Sequence, residues 1–379
     1  MRVLIACGGT GGHINPGLAI ADIIKSKYPD AEFLFAGTPK GMESKLVPKA
    51  GYMLETIKVA GFQRKISFEN IGRNAKAVAY LAASGKRAKE IIKNFKPDIA
   101  IGTGGYAAGP VIRKAAKMGI PTAIHEQNAY PGVTNKLLSK EVDFVMLTVI
   151  EALDFMDKSK FEYAVTGLPV RSNINTMSKA EARKKLGMDD SFTILSFGGS
   201  LGAGCINDTM TETIKWHTKN NLRINHIHGY GGMGKDSFPQ AMKKAEIPLK
   251  SDRLRITEYI NDMDVCLAAA DLVICRSGAS TLAELEAAGK ASILIPSPIV
   301  AGNHQYHNAM VLGKAGAAVV IEQKDVTNDK IISEIENLYN SPDKVEIMSE
   351  CAAKLHLSDT NSRIIAVIDK LFAKGTLSP

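Results

Sequence analysis

Val3-Leu-Ile-Ala-Cys-Gly-Gly-Thr-Gly-Gly-His13, running on into Ile14-Asn-Pro-Gly17, opens the chain as an apolar run that empties into a glycine loop. Val3 to Ala6 reads as a buried strand, and Leu18-Ala-Ile-Ala-Asp-Ile-Ile24 has the spacing of a helix. Pro16 is expected in the first helical turn, where its missing N–H is an orphan in any case. Strand, glycine loop and helix together aim backbone N–H groups and the positive end of a helix dipole at an anion. Neither common phosphate loop fits. There is no G-x-x-x-x-G-K-[ST], and Gly9-x-Gly11 leads to His13 and Asn15, not to a third glycine at the dinucleotide spacing. The bland alternative is a tight turn without a ligand, which rarely needs four glycines. His13 reads either as a general base at the lip of an anion site or as a cap for the helix.

Outward from this stretch, strands and helices alternate. Strands are expected over 2–7, 32–36, 55–59, 98–102, 122–125 and 144–147, with helices over 16–28, 41–50, 68–95, 109–117 and 132–139. That order implies parallel β-α-β units and a doubly wound sheet. Gly167 and Pro169 punctuate the chain, and Ser178 with Glu181 forms a capping box for a helix over 178–186. The opening theme then returns in Phe192-Thr-Ile-Leu-Ser-Phe-Gly-Gly-Ser-Leu-Gly202. A helix over 203–219 and further strands at 224–228, 253–257, 272–276, 292–295 and 319–322 make a second open α/β sheet. Three helices close the chain. Ligands of such sheets bind outside the carboxyl ends of the strands, so two Rossmann-like domains facing a cleft are expected.

The 379 residues suffice for two such domains. No stretch nears the roughly 18 apolar residues of a membrane span, and glycines interrupt the N-terminal apolar run too soon for a signal peptide. The five cysteines form no C-x-x-C pair, which argues for a reducing compartment and against a zinc site or disulfide framework. The net charge of +8 is concentrated: Lys58 to Lys93 holds nine basic and two acidic residues. Such a segment seeks nucleic acid or anionic lipid, unless it is merely a solvated helix face. No RNP, KH or helix-turn-helix pattern accompanies it, against nucleic acid.

Glycine clusters at four strand ends, 8–12, 102–109, 198–204 and 229–234, point to a substrate with several phosphates or to two phosphorylated substrates. Tyr106, set among glycines, reads as a ring or phosphate contact or as a core tyrosine. Cys275-Arg-Ser-Gly-Ala-Ser-Thr-Leu-Ala-Glu-Leu285 is a second strand-turn-helix. Ser280 and Thr281 stand at the helix start, and Glu284 one turn in is either a ribose ligand or a partner of its own helix dipole. His304, Gln305 and Asn308 suit sugar hydroxyls, and His125-Glu-Gln-Asn128 caps a strand. None of these has metal-ligand spacing, and no Asp-x-Asp appears.

The stretches GGTGGHINPGLAIA, GTPKGMESKLVPKAGY, GGYAAGP, IPTAIHEQNAYPG, TGLPVR, FGGSLGA, RSGASTLAEL and HQYHNA cover 2 to about 316 in family order. By them the chain closely resembles the MurG family of bacterial glycosyltransferases. The resemblance implies a GT-B fold and a UDP-GlcNAc-dependent hexosyltransferase of peptidoglycan synthesis. It implies transfer of N-acetylglucosamine, with inversion, to the 4-hydroxyl of the muramyl sugar of lipid I, giving lipid II without metal or other cofactor. It places Thr10, Gly11 and Gly12 in the nucleotide-sugar and acceptor-diphosphate loop. His13 is then the proposed base, with Glu126 as second candidate, and Asn128 and Gln305 contact the donor sugar. Arg171, Ser200 and Ile260 contact the nucleotide. Ala279, Ser280, Thr281, Leu282, Ala283 and Glu284 hold phosphate and ribose, with Glu284 on the ribose hydroxyls. Leu168 stands where the family usually has Asn, and Val300-Ala-Gly-Asn303 lacks an acidic residue often found there. Another GT-B enzyme with a diacylglycerol or sterol acceptor is the alternative. A UDP-sugar 2-epimerase would need acidic catalytic residues that the sequence does not place.

An acceptor that stays in the bilayer requires a docking face. Ile71, Val78 and Leu81 amid Arg64, Lys65, Arg73, Lys76 and Arg87 supply apolar and cationic signals together. The expected organisation is an acceptor and membrane domain over 1–167, a UDP-GlcNAc domain over 168–356, and a helix near 357–379 packing back on the first. The expected location is peripheral, on the cytoplasmic face of the bacterial membrane.

Overall fold

Successive residues of β1 (Arg2–Cys7) point to opposite faces of a sheet, and both faces are buried. Leu4 and Ala6 enter one core, and Val3, Ile5 and Cys7 enter the other. A strand covered on both sides reads as an unbroken apolar run, as in parallel sheets flanked by helices. The computed structural model describes residues 1–59, 83–199 and 201–376. They divide into two compact units, Met1–Pro169 with the segment from Asp359 onward, and Val170–Ser358.

The first unit adds β2 (Glu32–Gly37), β3 (Met53–Thr56), β4 (Ile99–Gly104), β5 (Thr122–Glu126), β6 (Phe144–Leu147) and β7 (Glu162–Val165). All pairings are parallel, in the order β3-β2-β1-β4-β5-β6-β7. The strand order reverses between β1 and β4, the place where open α/β sheets bind ligands. The helices are α1 (Gly11–Lys27), α2 (Glu43–Lys49), α3 (83–95), α4 (Ala108–Lys117) and α5 (Val133–Leu138). Helices α3 and α4 cover one face. The other is covered by α1 and the C-terminal helix Thr360–Thr376, whose Ile364, Val367, Ile368 and Leu371 are buried. Each such side chain contributes roughly 1.5–3 kcal/mol. That outweighs the helix's exposed ion pairs, such as Lys27–Asp369 at 2.6 Å.

The second unit repeats the plan. Its strands are β8 (Phe192–Phe197), β9 (Ile224–Gly229), β10 (Leu254–Thr257), β11 (Leu272–Cys275), β12 (Ala291–Leu294) and β13 (Ala318–Val320). They are parallel in the order β10-β9-β8-β11-β12-β13, with the reversal between β8 and β11. The helices that matter below are α6 (Lys179–Leu186), α7 (Gly204–Lys219), α8 (Ser237–Lys244), α9 (Met263–Ala269), α10 (Ala279–Ala287) and α11 (His304–Lys314). Ser178 and Glu181 make the capping box at the start of α6.

Three local expectations change. Helix α1 starts at Gly11, not at Pro16, which lies inside it. Thr10 is extended (φ −135°, ψ 158°), so the two glycines after it become the first turn, where no N–H needs an internal partner. Pro16 then leaves the Gly12 carbonyl without its helical donor. The strand expected over 55–59 is β3, which starts two residues earlier and ends at Thr56, because β2 ends at Gly37 opposite Thr56. Strand β7 was not expected: Glu-Tyr-Ala-Val is only four residues long, on a sheet edge, and none of them is fully buried.

Candidate active site

At the carboxyl ends of β1 and β4 the chain meets itself at backbone distance. Gly104 (φ +106°) faces the His13 ring, and a Cβ there would lie 2.7 Å from Nδ1. Gly105 (φ +83°) faces the Gly8 carbonyl, and a Cβ there would lie 2.1 Å from its oxygen. Only glycine fits either position. This packing sets the imidazole of His13, half-buried in the first turn of α1, over the end of β4. The backbone of His13 is held as well, since its carbonyl accepts from Thr103 Oγ1 at 2.7 Å.

The ring of His13 is fixed by a residue from far along the chain. Its Nδ1 lies 3.0 Å from Gln127 Oε1. Gln127 Nε2 in turn donates to the His125 carbonyl at 2.8 Å and lies 3.1 Å from His125 Nδ1. His125 is fully buried, its Nε2 is 3.0 Å from the Gly167 carbonyl, and burial pushes its pKa down to about 4.

Beneath the loop lies Glu43, also fully buried. Its Oε1 accepts from Thr38 N (2.7 Å) and Oγ1 (2.6 Å), and its Oε2 accepts from Gly9 N (3.1 Å). Burial works to raise its pKa. The bonds from Thr38 and Gly9 outweigh that and hold it below the usual carboxylate range. Glu43 therefore braces the loop from behind, a role its place in the sequence did not suggest. The N–H groups of Gly11 and Gly12 remain at the front as orphan donors of α1.

Glu126 does different work from the second-candidate base expected of it. Its Oε1 accepts from Asn128 N and Nδ2 at 2.9 and 3.1 Å. Its Oε2 accepts from Gly132 N at 3.0 Å and Asn135 Nδ2 at 2.8 Å. Four bonds fill the lone-pair sites of a carboxylate, so no site is left to take a proton from a substrate. Glu126 instead orients Asn128 and the turn behind it. Tyr106 is 65% exposed, which rules out the core-tyrosine reading.

In the second unit, the loop after β8 and helix α10 stand on the two sides of the switch point. Gly278 is the N-cap of α10 without a side-chain cap. The N–H groups of Ala279, Ser280 and Thr281 are thus the orphan donors of that helix. Leu282 and Ala283 do not join them: both side chains are buried, and Leu282 N already donates to the Gly278 carbonyl. Glu284 is gripped bidentately by Arg171, Nε to Oε1 at 2.7 Å and Nη2 to Oε2 at 2.8 Å. One lone-pair site on each oxygen stays available. Gln305 accepts from Ser297 N at 2.9 Å through Oε1, which leaves its NH2 outward without a partner among the described residues. Ile260 is buried against Gly229, so only its backbone can meet a ligand. Among the described residues no group of three His, Cys, Asp or Glu is placed to hold a metal.

Ser200 lies outside the described residues, as do Arg64, Lys65, Ile71, Arg73, Lys76, Val78 and Leu81. Arg87 is described, and it is not a spare surface cation. It pairs with Glu55 at 2.5 Å and Glu90 at 3.0 Å, pinning α3 to the end of β3.

The family model of the glycosyltransferase family 28 N-terminal domain matches residues 3–147, and that of the C-terminal domain matches residues 193–364. A relative from Acetivibrio thermocellus is 47% identical over 97% of each chain. Its name is UDP-N-acetylglucosamine–N-acetylmuramyl-(pentapeptide) pyrophosphoryl-undecaprenol N-acetylglucosamine transferase. A relative of the same name from Desulforamulus reducens is 42% identical over 99% of this chain and 100% of its own. Among solved structures, Acinetobacter baumannii MurG superposes with a TM-score of 0.77 at 28% identity, over 97% of this chain and 99% of that one.

Proposed function

The chain belongs to glycosyltransferase family 28, among the MurG enzymes with their GT-B fold, and on that premise we propose how its residues carry the reaction. It transfers N-acetylglucosamine from UDP-GlcNAc to the 4-hydroxyl of the muramyl sugar of lipid I, forming lipid II in peptidoglycan synthesis. The observation that carries the assignment of roles is the imidazole of His13, clamped over a glycine loop at the switch point of the first sheet.

An inverting transfer makes the acceptor hydroxyl attack the anomeric carbon as UDP leaves from the opposite face. The hydroxyl must lose its proton as the bond forms, and a neutral imidazole accepts it near pH 7. His13 fills that role, while Thr10 and the Gly11 and Gly12 N–H groups meet the acceptor diphosphate and Tyr106 lines the same loop. The second unit binds the donor. Charge that develops on the leaving diphosphate is met by the Ala279, Ser280 and Thr281 N–H groups and the α10 dipole. Glu284, oriented by Arg171, accepts from the ribose hydroxyls. The backbone of Ile260, together with Arg171 and Ser200, contacts the nucleotide, and Asn128 and Gln305 bond the sugar.

The test is UDP release from UDP-GlcNAc with a lipid I analogue, with a diacylglycerol acceptor, with a sterol acceptor, and with none. Release that depends on the lipid I analogue is the expected result. Equal release on a diacylglycerol or sterol acceptor, or release that ignores the acceptor, overturns the proposal.

We infer further that the protein docks peripherally on the anionic, cytoplasmic face of the bacterial membrane. Among the described residues no helix is long and apolar enough to cross a bilayer, and the excess of basic residues between Lys58 and Lys93 supports a surface attachment. Each such cation contributes about 1 kcal/mol near anionic lipid, screened by salt. Co-sedimentation with anionic vesicles should fall in an Arg73→Glu/Lys76→Glu variant, while turnover of a short-chain soluble acceptor persists. Equal sedimentation of both proteins removes this docking site.

A further inference from the structure

The hydrogen bonds around His13 can be assigned in one direction only, and the assignment begins at a backbone carbonyl. The oxygen of Gly167 can only accept, so His125 Nε2, 3.0 Å away, carries a hydrogen. His125 is fully buried and neutral, since burial drives its pKa down to about 4. Its Nδ1 is therefore a bare acceptor. The group facing it at 3.1 Å must donate, which makes it the amide nitrogen of Gln127. The second hydrogen of that nitrogen goes to the His125 carbonyl at 2.8 Å. Both amide hydrogens are engaged, and a flip of the amide would turn an oxygen toward two acceptors. Gln127 Oε1 therefore faces His13, and an amide oxygen can only accept. His13 Nδ1, 3.0 Å from it, must carry its hydrogen. In a neutral ring the lone pair is then on Nε2.

We propose that Gln127, itself locked by His125 and the Gly167 carbonyl, is a positioning residue that holds His13 in the tautomer with a bare Nε2. The proposal rests on the reading of His13 as the base. Imidazole tautomers interconvert freely in water, and a base with its lone pair on the wrong nitrogen cannot take the acceptor's proton. The ring lies close against the Gly104 backbone, where a Cβ would stand 2.7 Å from Nδ1. Gln127 is itself 3% exposed, so its effect acts through His13.

Nitrogen-15 spectra of histidine-labelled protein decide the tautomer directly, with the His13 signals assigned by their loss in His13→Ala. The expected spectrum has a protonated Nδ1 and a bare Nε2. In Gln127→Ala the ring should shift toward the Nε2–H form. Kinetics supply the second readout. Gln127→Ala should lower kcat roughly 10- to 100-fold, leave the KM for UDP-GlcNAc within about twofold, and cost nothing further in a His13→Ala background. A wild-type His13 protonated on Nε2 overturns the proposal. So does an equal loss from Gln127→Ala in both backgrounds. If His13→Ala itself keeps wild-type turnover, the reading of His13 as the base falls, while the spectrum still judges the tautomer lock by itself.

Discussion

In the first unit a chain of hydrogen bonds runs from the Gly167 carbonyl through His125 and Gln127 to His13. In the second unit, His217 Nε2 meets His226 Nδ1 at 3.2 Å, and Ser196 Oγ meets both His226 Nε2 and His228 Nδ1 at 2.8 Å. The residue types and the lengths of the chains are alike. Their ends are not. The first chain ends on a half-buried imidazole at a glycine loop on a switch point. The second ends inside the core, where the His228 ring stacks on Phe238 at 4.5 Å and its Nε2 has no partner among the described residues. A buried histidine is thus no marker of chemistry in this fold. What distinguishes a site is whether the network delivers a nitrogen to the open end of a strand.

The comparison is broken most forcefully with acid. Burial holds His217 down to about 4 and His228 down to about 3, and holds His226 well below the ordinary value. For a base depressed in the folded state, the unfolded chain takes up the proton first. Its stability contribution is intact above pH ~6.5 and is lost as pH falls toward the folded value. Each such histidine removes up to about 1.4 kcal/mol per pH unit in that window. The second unit has these three and His356, which burial also lowers, and the first has His125 alone, so the second unit should weaken more steeply. Trp216, the chain's single tryptophan, lies in α7 next to His217 and reports that unit. Its denaturation midpoint should drop sharply between pH 7 and pH 5. An unmoved midpoint would mean that these histidines are not neutral and sealed.

Replacing the histidines separates the two networks by function. His13→Ala should cost about 10²- to 10⁴-fold in kcat with an unchanged urea midpoint. His226→Ala should lower the midpoint and leave kcat nearly as it was. If the two variants behave alike in both assays, the distinction between open and sealed networks fails.

How much of this could be read in advance depends on distance along the chain. The strand before Gly8, the helix after Gly17, the second glycine strand at Phe192 and the capping box at Ser178 are local patterns, and each is present in the structure. So is the start of α10 after Gly278. The start of α1 was misplaced because Pro16 looks like a helix beginner, whereas extended Thr10 sets the start. The four-residue edge strand β7 is too short to carry a clear signal. The partners of the site residues were out of reach, since Gln127 joins His13 across 114 residues and Glu284 joins Arg171 across 113. Which of two acidic residues is free to act is likewise a tertiary fact. Glu126 and Glu284 look equivalent as letters, yet one carries four internal bonds and the other two.

That last contrast predicts an intermediate effect. Glu284→Ala removes a charge-assisted bond to the ribose worth roughly 1.5–3 kcal/mol, and UDP affinity by calorimetry should fall by that amount while acceptor binding holds. Glu126→Ala leaves the UDP affinity alone and lowers the melting temperature, because the Asn128, Gly132 and Asn135 donors lose their acceptor. Unchanged UDP affinity in Glu284→Ala would remove the ribose assignment.

The smallest expected effect probes the blind end of the sealed network. His228→Phe keeps the flat ring against Phe238 and deletes the unpartnered Nε2. The substitution also takes one hydrogen-bond partner from Ser196, whose hydroxyl still reaches His226 Nε2. A buried polar atom without a partner costs about 1–3 kcal/mol, and the slightly larger phenyl ring costs about 1–3 kcal/mol in a packed core. These oppose one another, so stability at pH 7 should change by no more than about 1 kcal/mol. At pH 5 the balance shifts. The variant has one fewer histidine for the unfolded chain to protonate, so its Trp216 midpoint should fall less steeply with acid than that of the wild type. Parallel pH profiles for the two proteins would mean that His228 takes up its proton with the fold intact, and its core position would then have to contain an acceptor for the charge.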